Sequence, residues 1–203
     1  MPDKRTQLSR DLITNAAVDV VAREGLAALS MRRLAQELDV WPMSVYRHFR
    51  DKEDLLDAVA AAGSEGVDLP PAEGSWREQV PALAEEARVL LARQPVDLRR
   101  RTLLSPGVLR LTDAALRVMR EGGLSAAAAA TAWRTVLAYV VGSIEFEAAT
   151  GSERETQAAL LTVPEDEAPD LTASAAEVAH ALAGGDEAFD DGLERVLDGI
   201  APA

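Results

Sequence analysis

The sequence contains no cysteine and two histidines, and aromatic residues make up 4% of its 203 positions. The absence of thiols excludes disulfides and thiolate metal ligands, which suits a cytosolic protein. His48 and His180 offer little material for a nucleophile–base pair, and we interpret His180 as a packed or surface residue. Glu145 and Glu147 are two residues apart and so lie on different helix faces, which is poor geometry for paired acid–base catalysis or for a shared metal ion. These shortages argue against an enzyme, a metal centre or a bound cofactor.

Long hydrophobic runs are also missing. No apolar run approaches the roughly 20 residues of a membrane span, and the charged N-terminus is unlike a signal peptide. We therefore expect a cytoplasmic location. Hydrophobic residues still make up 48% of the chain, and alanine and leucine outnumber β-branched and aromatic residues. This composition predicts an all-α fold with a substantial core.

Basic residues are scarce relative to acidic ones, with 21 against 34 and a formal net charge of -13. This balance argues against DNA binding, which draws much of its free energy from Lys and Arg that displace counterions. The distribution weakens that objection. Residues 1–62 hold nine Lys/Arg and ten Asp/Glu, whereas residues 63–203 hold twelve and twenty-four. The acidity therefore belongs mainly to the second region.

Residues 30–52 predict two short helices joined by a tight turn. Ser30 is the natural N-cap of the first helix, and Pro42 suits the first position of the second helix because its missing N–H costs nothing there. Val45 and Phe49 are four apart and should point inward. A short helix with small, basic and hydrogen-bonding residues on its outer side fits the major groove, as in a helix-turn-helix.

The neighbouring segments predict two supporting helices. Ser9 should cap an amphipathic helix that ends at Gly25, and Asp51 should cap a further helix that begins with Lys52. Residues 1–8 lack an apolar pattern. We interpret them first as a frayed terminus, and the alternative is a basic arm that reaches phosphates.

The segment LAQELDVWPMSVYRHFRDKEDLL, residues 34–56, resembles the signature of TetR-type transcriptional regulators. In that family the recognition helix ends in a Tyr-x-His-Phe-like motif, followed by a lysine and an acidic-Leu-Leu segment. The close match extends from Arg10 to about Val59. One departure is Asp39, where the family usually has a glycine in the turn. Aspartate tolerates a left-handed backbone better than most residues, so we expect the turn to be kept with some strain.

This resemblance implies a DNA-binding surface on and beside the second helix of the motif. Four residues would face bases: Arg32, Met43, Ser44 and Arg47. Three others would contact phosphates: Tyr46, His48 and Lys52. Pro42, on the outer side of the same helix, completes the predicted set. The alternative for Lys52 is a solvated partner of Asp51 or Glu53.

Residues 63–74 contain three glycines and two prolines and predict a linker. We therefore expect a DNA-binding domain over residues 1–62 and a larger helical effector-binding and dimerisation domain over residues 63–203. Within the latter, Ser75 and Glu78 predict a capping box. Ser125 should cap a long apolar helix over residues 126–150, then a long connection should span residues 151–170. Two final helices are predicted over residues 172–183 and 186–200.

The second region resembles, more loosely, the tetracycline-repressor branch in LPPAEGSW, MREGGLS and the long helix through Gly142. Members of that branch are dimers with a ligand cavity between the middle helices, and ligand binding shifts a linker helix and the spacing of the two DNA-binding heads. The corresponding cavity positions here are Leu83, Ala87, Leu116, Met119, Trp133 and Leu137. Plain core packing is an equal alternative for each.

The branch's magnesium–tetracycline site is not reproduced, because its histidine position falls near Arg101 and an amide position falls at Leu83. We therefore expect a small apolar organic effector and no metal. The function predicted is that of a homodimeric, ligand-responsive repressor of double-stranded operator DNA. The alternative, motivated by the net charge, is a ligand-binding helical protein that does not bind DNA. The arginine run 99–101 is interpreted first as a solvated face.

Overall fold

The computed structural model describes residues 8–71 and 73–200. Within these ranges every regular element is a helix, so the predicted all-α fold is confirmed. The predicted N-terminal arm lies outside the described residues except for Leu8. The helices, in chain order, are α1 Arg10–Glu24, α2 Met31–Glu37, α3 Pro42–Tyr46, α4 Lys52–Ala62, α5 Trp76–Ala92, α6 Val96–Thr102, α7 Pro106–Glu121, α8 Ala126–Thr150, α9 Glu153–Leu160, α10 Pro169–Ala173, α11 Ala175–Ala183 and α12 Gly185–Asp198.

Side-chain caps set the start of three of the first four helices. The side chains of Ser9, Ser30 and Asp51 each accept a hydrogen bond from a backbone N–H three residues later, at 3.1, 3.1 and 2.8 Å. These bonds satisfy backbone donors that have no partner inside the helix. Gly25 ends α1 with φ 82°, and Pro42 is the first residue of α3. The caps predicted for this region are therefore confirmed.

The chain divides into two compact units. The first unit comprises the residues up to Asp68 together with Leu90–Arg110, and the second comprises Leu69–Val89 and the residues from Leu111 onward. The predicted domain boundary between residues 62 and 63 remains a prediction. Helices α1 to α4 of the first unit share one hydrophobic core, which Leu98 of α6 joins. Its fully buried side chains include Ile13, Val20, Leu29, Leu34, Val45, Phe49 and Leu55.

Helix α9 lies where the sequence predicted a long connection over residues 151–170. That prediction is wrong, because Ser152 and Glu155 form a complete capping box that starts an eight-residue helix. The Ser152 hydroxyl accepts from the Glu155 N–H at 3.3 Å, and the Glu155 carboxylate accepts from the Ser152 N–H at 3.0 Å. The box predicted at Ser75 and Glu78 is one-sided, because Glu78 accepts from both the N–H and the hydroxyl of Ser75.

The helix predicted over residues 172–183 consists of two helices, α10 and α11. The break lies at Ser174, whose backbone angles of φ -113° and ψ 18° are not helical. Pro169 is the first residue of α10, where its lack of an N–H is tolerated. Residues 169–183 therefore form two short helices where the hydrophobic pattern predicts a single longer one.

Among the described residues, α8 is the one helix long and apolar enough to cross a membrane by length and composition. The helix was predicted from the sequence, but it contains no uninterrupted apolar run of membrane-spanning length because Arg134, Glu145 and Glu147 lie within it. The buried residues of α8 repeat at helical spacing along one side: Ala129, Ala132, Trp133, Val136, Val140 and Ile144. This pattern is typical of a helix that packs one face against the rest of a globular domain.

Candidate nucleic-acid interface and effector site

The turn between α2 and α3 fixes the direction of α3. Asp39 has a left-handed backbone with φ 52°, as predicted. The turn is closed by three backbone hydrogen bonds, Leu38 N–H to Leu34 O, Asp39 N–H to Gln36 O and Val40 N–H to Ala35 O, at 3.1, 3.2 and 2.9 Å. The turn therefore occupies residues 38–41, and Val45 of α3 packs into the core.

Helix α3 and the residues beside it have a buried side and an open side. Val45 and Phe49 are fully buried. The exposed side chains from residue 41 to residue 47 are Trp41, Met43, Tyr46 and Arg47, and Pro42, Ser44 and His48 are half-buried. The predicted base-facing residues of α3 thus lie together on its accessible side. Trp41 was not in the predicted set, although it directly precedes α3.

Two adjacent arginines at the start of α2 differ in their surroundings. Arg33 donates hydrogen bonds to Glu24 and Glu37, and Arg23 donates to Glu37 at 2.7 Å. The bond from Arg33 lowers the pKa of both carboxyls. Arg32 is exposed and lies outside this network. The network therefore compensates the charge of Arg33 and leaves the side chain of Arg32 accessible, and the role of Arg32 in DNA binding stays a prediction.

Arg10 connects α1 to the residues that follow α3. Its guanidinium donates to the His48 carbonyl at 2.7 Å and to the Asp54 carboxylate at 2.6 Å, and it lies 4.1 Å from the ring centre of Phe49. Asp54 also accepts from the Arg50 N–H at 3.0 Å. The bond from Arg10, followed by that from Arg50, lowers the pKa of Asp54 to about 2. Arg10 and Asp54 thus fix the end of α3, a role that the sequence reading missed.

Lys52 begins α4 and is exposed. The partners proposed for it as an alternative are engaged elsewhere. Asp51 accepts from the Asp54 N–H, and Glu53 is ion-paired with Arg101. Unpaired N–H groups and the positive end of the helix dipole favour an anion near the first turn of a helix. The surroundings of Lys52 are therefore compatible with a phosphate contact.

The arginines at positions 99 to 101 do not form one solvated face. Arg100 is exposed, but Arg99 is half-buried and donates to the Leu91 carbonyl at 3.3 Å. Arg101 is half-buried and pairs with Glu53 and Asp57 of α4. The prediction of a solvated run is wrong for Arg101, because two carboxylates one turn apart on α4 bind its guanidinium. Helix α6 is thereby tied to α4.

All six predicted effector residues belong to the second unit. Leu83, Ala87, Met119 and Trp133 are buried, and Leu116 and Leu137 are half-buried. Trp133 donates its indole N–H to the Thr112 hydroxyl at 3.0 Å. Buried apolar residues of this kind pack a core or line an apolar cavity with equal ease. Their role in effector binding stays a prediction.

A cavity of about 380 Å³ opens between α8, α11 and α12, away from the predicted positions. Its lining includes Tyr139, Gly142, Phe146, Glu147, Leu182 and Phe189. The Tyr139 hydroxyl donates to the Phe189 carbonyl at 2.8 Å, and burial raises the pKa of Tyr139. Gly142 faces open space, and Phe146 is exposed. Gly142 and Ser143 are the adjacent small residues on this side of α8.

The acidic and histidine side chains do not assemble into a metal site within residues 8–71 and 73–200, where no group of three potential ligands is present. His180 is half-buried, with its Nδ1 3.5 Å from a Glu153 carboxylate oxygen. A single contact of this kind agrees with the packed or surface position predicted for this histidine.

Two sequence-family models match the chain. The one described as bacterial regulatory proteins, tetR family, covers residues 13–59, and the one described as tetracyclin repressor-like, C-terminal domain, covers residues 69–203. The class A tetracycline repressor from transposon 1721 of Escherichia coli is 32% identical over 201 residues, which are 97% of this chain and 92% of that protein.

Solved structures with the same fold include two complexes that bear on the site. ActR, a Streptomyces coelicolor TetR family protein in complex with (S)-DNPA, aligns with TM-score 0.80 and 29% identity over 95% of this chain and 96% of its own. BioQ with its natural double-stranded DNA operator aligns with TM-score 0.66 and 27% identity over 97% of this chain and 100% of its own.

Proposed function

Because this chain belongs to the TetR family of bacterial regulatory proteins, we propose that it is a cytoplasmic, homodimeric transcriptional repressor that a small apolar organic molecule releases from its operator. The observation that supports this most is the accessible side of α3. Arg47 and Met43 are exposed there, while Val45 and Phe49 anchor the opposite side. A helix displayed in this way enters the major groove of a duplex.

The proposed DNA contacts divide into two groups. Arg32, Met43, Ser44 and Arg47 face base edges, where arginine makes bidentate hydrogen bonds to guanine. Tyr46, His48 and Lys52 contact phosphates, which position the protein without reading sequence. Pro42 starts α3, which bears Met43, Ser44 and Tyr46. Arg10 holds the end of this helix and acts as a positioning residue.

A second copy of the chain is proposed to pack against α8 and α12. The open side at Gly142 and the exposed ring of Phe146 support this assignment, because a helix approaches closely at glycine and buries an exposed aromatic ring. A two-fold dimer displays α3 twice, so the operator is expected to be a near-palindrome with half-sites one helical turn or a small multiple apart.

The effector is proposed to bind among Leu83, Ala87, Leu116, Met119, Trp133 and Leu137, without a metal ion or cofactor. The ligand complexes of ActR support a small-molecule site in this fold. The pairing of Arg101 with Glu53 and Asp57 supports a route to DNA, since movement of α6 would be passed to α4 and Lys52. A ligand that binds better to the DNA-incompetent state shifts the population toward it.

An electrophoretic titration against the DNA upstream of the protein's own gene, at two salt concentrations, tests the proposal. We expect sequence-dependent binding that weakens steeply with salt, because phosphate contacts release counterions. No shift at any protein concentration would favour the alternative, a ligand-binding helical protein that does not contact DNA. Cofactor or metal in the purified protein would instead point to an enzyme.

A further inference from the structure

Three large apolar side chains are exposed within six residues of the chain, beside the helix proposed to enter DNA. Trp41, Met43 and Tyr46 are 84%, 69% and 45% exposed. Trp41 precedes α3 as its N-cap residue, but its side chain makes no capping hydrogen bond. Exposed apolar groups that cluster at one place usually mark a binding surface. Because Tyr46 is already proposed to contact a phosphate, we call the other two residues, Trp41 and Met43, the apolar patch.

The charge around the apolar patch suits DNA. No acidic residue lies between Trp41 and Arg50, and this segment contains Arg47, His48 and Arg50. Both members of the patch lie at the start of α3, and the first residues of a recognition helix are those that meet base edges. The patch therefore lies where the floor of the major groove would be in a complex.

The floor of the major groove presents one apolar group, the C5-methyl of thymine. We propose that Trp41 and Met43 read thymine methyl groups, so that each operator half-site contains at least one thymine that is recognised by its methyl and not by its hydrogen-bonding atoms. The inference rests on the proposed DNA-binding function and assigns Trp41 a role in specificity. Arg32 and Arg47 would read other positions through hydrogen bonds.

The test uses the wild-type protein and chemically altered DNA. A preferred duplex is first selected from a random library, and each thymine in it is then replaced singly by deoxyuridine. This replacement removes the methyl and keeps every hydrogen-bonding group. We expect affinity to fall about fourfold at one or two positions of each half-site, the loss for one buried methyl-sized group. Equal affinity for every substituted duplex would overturn the inference.

The protein variant Trp41→Ala links the effect to the patch. It should bind the selected duplex more weakly and should no longer distinguish thymine from deoxyuridine at the sensitive position, with Met43→Ala showing the same loss at its own position. Leu104→Ala is the matched control, since Leu104 is 77% exposed in the same unit but follows α6. It should bind and discriminate as the wild type does.

Failure of the inference and failure of the proposed function are distinguishable. If the wild type binds no duplex, the proposed function is wrong and the inference fails with it. In the other case, the wild type binds a selected duplex, but Trp41→Ala weakens binding to the thymine duplex and to the deoxyuridine duplex by the same factor. Trp41 then packs against sugar and phosphate, and the inference alone is overturned. Circular dichroism of both variants confirms that the helices are intact.

Discussion

In the first compact unit, the side chains proposed to meet DNA are exposed or half-buried, whereas in the second unit four of the six proposed effector residues are buried. The two units also differ in charge. The first unit holds 14 Lys/Arg and 13 Asp/Glu, and the second unit holds 7 and 21. The same chain thus combines an accessible surface that is proposed to bind DNA with an enclosed apolar interior.

This contrast shows which kinds of site a sequence reveals. On an outward-facing helical surface, polar and basic side chains stand apart from the apolar positions that repeat at helical spacing. Such a surface can therefore be recognised in the sequence. An apolar cavity uses the residue types that any core uses, so the pattern is the same with or without a ligand. Thermodynamic measurements can separate these two cases in the second unit.

The largest effect is expected at Trp133, which is 2% exposed and donates its indole N–H to Thr112. Trp133→Ala should lower the free energy of unfolding by about 3–5 kcal/mol, as for other buried aromatic residues. Urea unfolding measures it, and Thr131→Ala, an exposed site on α8, should change it by less than about 0.5 kcal/mol. A loss below about 1 kcal/mol for Trp133→Ala would mean that the indole borders open space, which favours the cavity interpretation.

The second effect sharpens the DNA side of the comparison. Arg47→Ala should weaken binding to the preferred duplex by about 1–3 kcal/mol and relax base preference at one position, since Arg47 is proposed to read a base. Competition titrations with duplexes altered one position at a time measure both. Arg100→Ala, an exposed arginine of α6, is the control and should have little effect. Equal losses on preferred and random DNA would contradict base reading by Arg47.

Local signals made the first unit predictable. Ser9, Ser30 and Asp51 satisfy backbone donors of their own helices, and Asp39 adopts the left-handed turn that its sequence context requires. Each depends on residues within a few positions along the chain. The limits of α8 at Ser125 and Thr150 follow from the same kind of signal. The capping box at Ser152 is equally local, but the acidic, proline-containing composition that follows it is more typical of a connection.

Long-range contacts were not predictable in this way. Arg10 meets Asp54 across 44 residues of chain, and Arg101 meets Glu53 and Asp57 of α4 across similar distances. An arginine beside other arginines looks solvated in sequence, because its partners are supplied by tertiary packing. The candidate DNA surface could therefore be listed from sequence, but the groups that hold it in position could not.

Lys52→Ala and Tyr46→Phe should weaken binding to all duplexes to a similar extent, because both residues are proposed to contact phosphates. For Lys52→Ala the slope of log affinity against log salt concentration should decrease in magnitude by about one. Titrations at several salt concentrations measure the slope. A change in base preference without a change in slope would place Lys52 on a base and contradict its assignment.

A smaller effect is expected at Asp54, whose folded-state pKa of about 2 lies below its ordinary value of 3.8. The ionised form is stabilised by folding, so this contribution is present above about pH 4 and is lost as pH falls toward 2. Asp54→Asn should reduce stability at pH 7 by about 1 kcal/mol, a modest value because Arg10 is half exposed. Near pH 2 the variant and the wild type should be equally stable.

The control for Asp54 comes from the second unit. Asp113 is an exposed aspartate of α7, and Asp113→Asn should change the stability at pH 7 by less than about 0.5 kcal/mol. If both variants flatten the acid limb of the stability curve equally, the effect arises from net charge and not from the contact with Arg10.

The smallest effect concerns the turn that directs α3. Asp39 has φ 52°, a conformation that costs most residues about 1–2 kcal/mol and costs glycine little. Asp39→Gly relieves this strain but gives the unfolded chain more freedom, so stability should rise by no more than about 0.5 kcal/mol. Asp39→Ala should lower it by about 1 kcal/mol. If Asp39→Gly keeps its stability but binds DNA more weakly, the exposed positions of Arg47 and Met43 depend on the stiffness of this turn. The accessible surface of the first unit is then determined by the backbone of the turn as well as by the spacing of apolar residues in its helices.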